Sequence, residues 1–340
     1  MDSQPNIPVP GKTDHASEEI QKATPKATAA VVEYLRREAP EFQRLSELRQ
    51  KNQRRNADKA DTKTAHFFYK MMRSVADEMD RETDAFWIPN LNLHEQHILD
   101  LCMAPGGYLS TALRVNPTAS ALAFTLPQSK GGHGVLLPLN SNSRVTLKSL
   151  DITMLAGDMG MLPDTIPEAH PDADSFILAS HFTQGQSFDL ALCDGQVLRT
   201  HERAAYRGAR EATRLITTQL ALALEHLKPR GTLVLLLHKA DSIHNVRVLY
   251  TFAKFASLRL FKPKKAHATR SSFNLVASGV RSDCEEAVQA VKKWKEVWKI
   301  ATFGTDEMYR EVTTRLGREI WKIQVDALEK APYVKNARSS

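Results

Sequence analysis

The chain has 340 residues, of which 42% are hydrophobic, 25% charged and 7% aromatic, an ordinary globular composition that excludes a mostly disordered chain or a miniprotein held by disulfides. Lys and Arg number 46 against 39 Asp and Glu, and the resulting +7 favours a polyanionic partner without requiring one. The 3 cysteines, Cys102, Cys193 and Cys284, form no CxxC pair, and no apolar run is long enough to span a bilayer. The start lacks a signal or transit pattern, so an intracellular protein is expected, cytoplasmic or nuclear, with neither membrane nor metal as a partner.

Residues 1–27 are polar, contain Pro5, Pro8, Pro10 and Pro25, and read as a flexible arm. A basic helical extension follows over 28–62, with Val31, Leu35, Phe42, Leu45 and Leu48 at helical spacing and arginines on the other face. The next helix spans about 64–79, and its stripe of Phe67, Phe68, Met71, Met72, Val75 and Met79 reads as core. Strands are expected at 97–101, 119–126, 145–150, 188–193, 232–237 and 272–277. Helices are expected at 108–114, 204–227 and 246–256, the long one closed by Lys228-Pro229-Arg230-Gly231. Such alternation predicts a mostly parallel sheet with helices on both faces, followed by a helical extension over 281–340.

Two strand ends carry chemistry. In Asp100-Leu101-Cys102-Met103-Ala104-Pro105-Gly106-Gly107-Tyr108 a strand ends in an acid and turns through paired glycines into a helix. The spacing fits neither a dinucleotide fingerprint nor a phosphate loop, and an acid beside such a turn suits a cationic amino group. In Phe188-Asp189-Leu190-Ala191-Leu192-Cys193-Asp194-Gly195 a second strand ends the same way, so Asp194 would emerge at the same carboxyl edge as Asp100. For each segment alone, an ordinary capped turn remains an equal reading.

Taken together, DLCMAPGGY, FDLALCDG, HLKPRGTLVLLLHK and LFKPKKAHATRSSFNLVAS resemble the FtsJ/RrmJ-type S-adenosylmethionine-dependent RNA 2′-O-methyltransferases, over about 63–280. The resemblance implies a Rossmann-like methyltransferase fold with a seven-stranded sheet, S-adenosylmethionine as cofactor and RNA as partner. It implies that Asp100, Cys102, Ala104, Pro105, Gly106, Gly107 and Tyr108 wrap the methionine end of the cofactor, and that Asp158 and Met159 hold its adenine. Of the family's Lys-Asp-Lys-Glu tetrad, Asp194 matches the acid and Lys70 stands where the first lysine is expected. Such a tetrad serves to deprotonate or polarise a ribose hydroxyl, a poor acid, while it attacks the methyl group.

The sequence departs from the pattern where the second lysine is expected, at Leu236, with Lys239 three residues later, and where the glutamate is expected, at Phe273 and Asn274. Lys239 is the candidate replacement, although a shift of three residues reverses its face on a strand. The acid-free stretch 259–270 supplies Lys262, Lys264, Lys265 and Arg270 as candidate phosphate contacts, widened by Arg199, Arg203 and Arg207 after Asp194. His201 reads as a surface or capping histidine. Three functions therefore stay open: ribose methylation of RNA, a noncatalytic RNA- or cofactor-binding module, and methylation of a small molecule.

Overall fold

A computed structural model describes residues 32–33, 36–37, 39–51, 62–89, 95–139, 144–309 and 312. Seven strands form one sheet: β1 (His97–Asp100), β2 (Ser120–Thr125), β3 (Val145–Ser149), β4 (Phe188–Cys193), β5 (Leu227–His238), β6 (Ser257–Phe261) and β7 (Ser272–Val280), in the order β3-β2-β1-β4-β5-β7-β6. The pairs among β3, β2, β1, β4 and β5 are parallel, and β7 runs antiparallel between β5 and β6. The sequence order reverses between β1 and β4, where an open α/β sheet leaves a crevice at the carboxyl ends of its strands.

Period-two alternation divides the strands between two cores. On one face Ile98, Leu190, Leu192, Val234 and Val276 pack against α2 (Thr62–Thr83) and α3 (Gly107–Val115). On the other face Leu99, Ala191, Cys193, Leu233, Leu235, Leu237 and Leu275 meet α4 (Arg207–Glu225), α5 (Ile243–Ala253) and α6 (Glu285–Phe303). An additional helix, α1 (Pro40–Lys51), starts on a proline, whose fixed φ suits the first helical position. The expected arm over 1–27 and most of the tail beyond 309 lie outside the described residues, as do parts of the extension over 28–62.

Two elements differ from the sequence reading. The Lys228-Pro229-Arg230-Gly231 stretch is part of β5 rather than a closing turn, because Leu227 pairs with Phe188 and a register shift absorbs the irregular residues before Thr232 pairs with Leu190. Arg230 takes the local positive φ of 69°, and the Lys228 ammonium reaches Asp189 at 2.8 Å. The first part of the basic stretch is strand β6, an edge strand whose Leu260 remains half exposed, so its apolar pattern is too weak to read.

The α4 terminus is tied to the region after β3 by buried charges. The Arg207 guanidinium donates to Asp151 at 2.6 Å and to Glu211 at 2.7 Å, so Arg207 belongs to this interior network and not to a basic rim. Arg214, fully buried, donates to the Thr153 carbonyl at 3.0 Å and to the Tyr206 hydroxyl at 2.6 Å. Trp298 of α6 donates its indole N–H to the same Thr153 carbonyl at 3.1 Å. Ion pairing offsets the several kcal/mol that burying the Arg207 charge costs, whereas Arg214 donates only to neutral acceptors.

Gly107 fixes how closely α2 can approach α3. A Cβ there would lie 2.5 Å from Met72 Cβ, 2.8 Å from the Arg73 nitrogen and 2.9 Å from the Tyr69 carbonyl oxygen. Gly107→Ala is expected to destabilise the fold by about 1–3 kcal/mol, since the helix backbone must retreat to admit the methyl group. Urea unfolding should show a lower midpoint with an unchanged slope; an unchanged midpoint would contradict this packing.

Candidate active site at the carboxyl edge of the sheet

A cavity of about 230 Å³ opens at the carboxyl ends of β1, β2, β3, β4 and β5. One half is lined by Cys102, Ala104, Pro105 and Tyr108 after β1, Thr125 at the end of β2 and Leu126 after it, and Asp151 and Ile152 after β3. In the other half Asp194 and Gly195 follow β4, Leu236 lies on β5, and Pro263, His267, Ser272 and Asn274 come from the β6–β7 loop and the start of β7. Phe68, Met71, Met72 and Val75 close one wall. The stripe on α2 is thus divided: Met79 is buried in the core, Phe68, Met71, Met72 and Val75 face the cavity, and Phe67 is exposed rather than core.

Two carboxyl oxygens at this edge are buried without a hydrogen-bond partner, Asp100 Oδ2 and Asp194 Oδ1. Asp100 stands behind the wall, its other oxygen accepting from the Cys102 N–H at 3.2 Å. Burial, followed by the charge of Asp194, pushes the Asp100 carboxyl well above its ordinary value. Burial likewise raises Asp194. Two carboxyl groups so placed resist simultaneous ionisation, and protonation of either lowers the cost of burying both. A cation brought into the cavity would favour their ionisation.

Tyr108 and Asn274 meet across the cavity, the phenol donating to Asn274 Oδ1 at 3.2 Å. Asn274 pairs in register with Leu236 on the neighbouring strand, and both side chains line the cavity. The residue that occupies the expected glutamate's place in the cavity is therefore Asn274; Phe273 points to the opposite core. Gly195 packs so tightly that a Cβ would lie 2.3 Å from Cys102 Sγ, which locks the turns after β1 and β4 together. Gly106 and Gly107 do not reach the cavity: Gly106 supplies a φ of 106° at the start of α3, and Gly107 admits α2.

Several expected site residues lie elsewhere. Lys70 is exposed on α2, whose cavity-facing residues are its neighbours on another side of the helix. Lys239 is also exposed, beyond the end of β5 in a left-handed conformation with φ 61°, and it does not line the cavity that Asp194 lines. Asp158 accepts from the Ser180 hydroxyl at 2.7 Å and the His181 N–H at 3.1 Å, and Met159 is core, so both serve the turn. The acid that reaches the cavity after the third strand is Asp151. It follows Ser149 and Leu150 at a strand end, the same signal that singled out Asp100 and Asp194.

Asp151 is already satisfied. Burial opposes its ionisation but is outweighed by the contact with His201 and the charge of Arg207, which hold it below the ordinary carboxylate range. His201 Nε2 lies 3.3 Å from Asp151 Oδ2 in a nearly buried pair, so His201 is interior rather than a surface histidine. Asp151, His201 and Glu211 bring ligand-type atoms within 4.8 Å of one another, but the Arg207 guanidinium already bridges the two carboxylates. The group is an ion-pair network, which Asp151 extends to the cavity wall.

Among the candidate phosphate contacts, Arg199, Lys265 and Arg270 are exposed next to the cavity-lining segments at Leu198 and His267. The others, Arg207 of the buried network among them, are engaged within the fold. Lys262 Nζ donates to the carbonyls of His267, Arg270 and Ser272 at 2.8, 2.5 and 2.7 Å. Lys264 pairs with Glu82, and Arg203 donates to the Leu198 carbonyl at 3.1 Å.

The FtsJ-like methyltransferase family matches residues 77–279, more than half of the chain. No curated protein matches the chain. Similar solved structures include an O-methyltransferase family protein from Burkholderia thailandensis, with 16% identity over 65% of this chain and 60% of that one and a TM-score of 0.36. The N-methyltransferase NodS from Bradyrhizobium japonicum has 11% identity over 62% of this chain and 97% of that one, with a TM-score of 0.38. TrmN from Thermus thermophilus has 17% identity over 62% of this chain and 52% of that one, with a TM-score of 0.36. The chain thus spans less than two thirds of the Burkholderia and Thermus proteins.

The cofactor of the matched family is S-adenosylmethionine, and the cavity fits it on two counts. The orphaned Asp194 carboxyl oxygen lines the cavity, with that of Asp100 buried behind it, and the surrounding wall is largely apolar. Asp194→Asn should weaken binding of the cofactor by ~10- to 100-fold, the usual worth of a hydrogen bond to a charged group. It should also stabilise the cofactor-free protein. Because the native carboxyl pKa is raised, the native state binds more protons than the unfolded chain from about pH 4 upward to the raised value. Stability from this pair is therefore lost as pH rises, and Asp194→Asn should flatten that loss. Paired calorimetric binding and thermal unfolding measurements check both; a variant with weaker binding and lower stability would contradict the account.

Proposed function

We propose, from the premise that this chain belongs to the FtsJ-like methyltransferase family, that it transfers a methyl group from S-adenosylmethionine to a ribose 2′-hydroxyl of RNA. The observation that carries the reading is a retained cofactor cavity with Asp194 in it and three exposed cations, Arg199, Lys265 and Arg270, beside its mouth. The cofactor, when bound, supplies a methyl group already activated by the positive charge on sulfur, so no metal is needed to activate it. Asp194 lines the site and supplies negative charge toward this cation, with Asp100 adding to the potential from behind the wall. Phe68, Met71 and Met72 exclude water from one side of the site. Tyr108 and Asn274 form a fixed polar pair within reach of an acceptor.

A second reading, binding of cofactor or RNA without transfer, is favoured by Leu236 and Asn274, which stand where the resemblance places a lysine and a glutamate. Radiolabelled cofactor separates the two. Label incorporated into RNA in an alkali-resistant dinucleotide supports the transferase, and cofactor binding without incorporation supports the binding module.

The basic mouth makes a separate prediction. Replacing Arg199, Lys265 and Arg270 together with alanine should reduce the slope of log affinity against log salt for single-stranded RNA by about 2, at roughly 0.7 for each phosphate that is no longer neutralised. Cofactor affinity should stay the same. Filter binding over a salt series measures the slope, and an unchanged slope would remove these residues from the RNA surface.

A further inference from the structure

His267 belongs to the basic stretch of the sequence, and the fold sets it apart from its neighbours. It lines the half of the cavity formed by Asp194, Leu236, Ser272 and Asn274, opposite the walls after β2 and β3. Its backbone has a φ of 61°, in the left-handed region, where histidine is among the non-glycine residues found most often. Two contacts hold that conformation: Arg270 N–H donates to the His267 carbonyl at 3.0 Å, and Lys262 Nζ donates to the same carbonyl at 2.8 Å. Lys262 also binds the carbonyls of Arg270 and Ser272, so one ammonium braces the whole turn. On the ring, Nδ1 lies 3.4 Å from Ser272 Oγ.

The other ionisable groups on the wall are poorly suited to accept a proton from an acceptor hydroxyl. Asp151 is committed to Arg207, and the charge of Asp194 is needed beside a cationic cofactor. Burial raises the Tyr108 phenol and the Cys102 thiol, so both stay protonated. His133 lies on the β2 side, its ring 5.8 Å from that of Phe68. Burial lowers the pKa of both histidines, and His267 is the one whose ring meets Ser272 on the strand that carries Asn274, opposite Leu236, where the resemblance places the tetrad.

We propose that His267 is the general base of the methyl transfer, taking over the task that the resemblance gives to a lysine. This rests on the transferase reading and deepens it. The acceptor oxygen forms its bond to the methyl carbon, the pair of the broken sulfur–carbon bond stays on sulfur, and the hydroxyl proton passes to the His267 imidazole and then to solvent. Burial, followed by the nearby charges of Arg270, Lys262 and His238, lowers the His267 pKa below the ordinary imidazole value. The ring is accordingly neutral and able to accept a proton at neutral pH.

The test uses the full chain with histidine labelled for NMR, S-adenosylhomocysteine as binding probe, and radiolabelled S-adenosylmethionine with an unmodified ribosomal RNA transcript and a capped transcript. His267 should titrate below the ordinary histidine value. His267→Asn, which tolerates the left-handed backbone, should lower transfer by ~100-fold or more while changing probe affinity by less than about threefold. Added imidazole should restore part of the activity to His267→Ala, an effect that a purely structural histidine would not show. Transfer by His267→Asn within about threefold of wild type would overturn the inference and leave the transferase reading intact. A ring that titrates at or above the ordinary value would overturn it as well, even if the variants fail to fold. A wild-type protein that binds the probe but labels neither RNA would overturn both.

Discussion

The site depends on two carboxyl groups that the fold buries without completing their hydrogen bonds. Asp100 and Asp194 sit at the ends of adjacent parallel strands, and the register that pairs Asp100 with Leu192 brings the two acids to one edge. An unpaired buried charge is expensive, and burial accordingly raises both carboxyl pKa values and favours the protonated form. The same arrangement gives a cationic ligand its strongest reason to bind here. Stability of the empty protein and affinity for the cofactor are therefore opposed at these residues.

The surroundings follow from keeping that edge dry and fixed. Gly195 lets the turn after β4 press on Cys102, and Gln219 of α4 accepts the Gly195 N–H at 2.9 Å. Gly107 lets α2 close over α3 and bring Met72 to the wall. Beneath the far end, the Arg207 network anchors Asp151 and joins α4 to the segment after β3. Glycines thus control close approach around the site, while buried charges fix its floor.

Much of this was legible in the residues. The strand-end acids Asp100 and Asp194 followed from an apolar run, an acid and a glycine, a pattern with a direct physical reading. Strand β4 lies at 188–193 as expected because its run is apolar throughout, whereas edge strand β6 was hidden by its exposed side chains. Side-chain direction was the harder property. Lys70 and Lys239 are near the site in sequence but exposed, and Lys262 is spent on three carbonyls. Asp151 and His267 reach the cavity through turns whose geometry only the assembled sheet determines. Composition and spacing report which cations exist, and packing decides which of them face a ligand.

The central claim, that the buried Asp100 and Asp194 carboxyls resist joint ionisation until a cationic cofactor binds, is most directly tested by infrared difference spectroscopy of the carboxyl stretching region at neutral pH. The cofactor-free protein should show a protonated-carboxyl band that disappears on addition of S-adenosylmethionine and is altered in Asp194→Asn. A spectrum with no such band, or one that the cofactor leaves unchanged, would contradict the account.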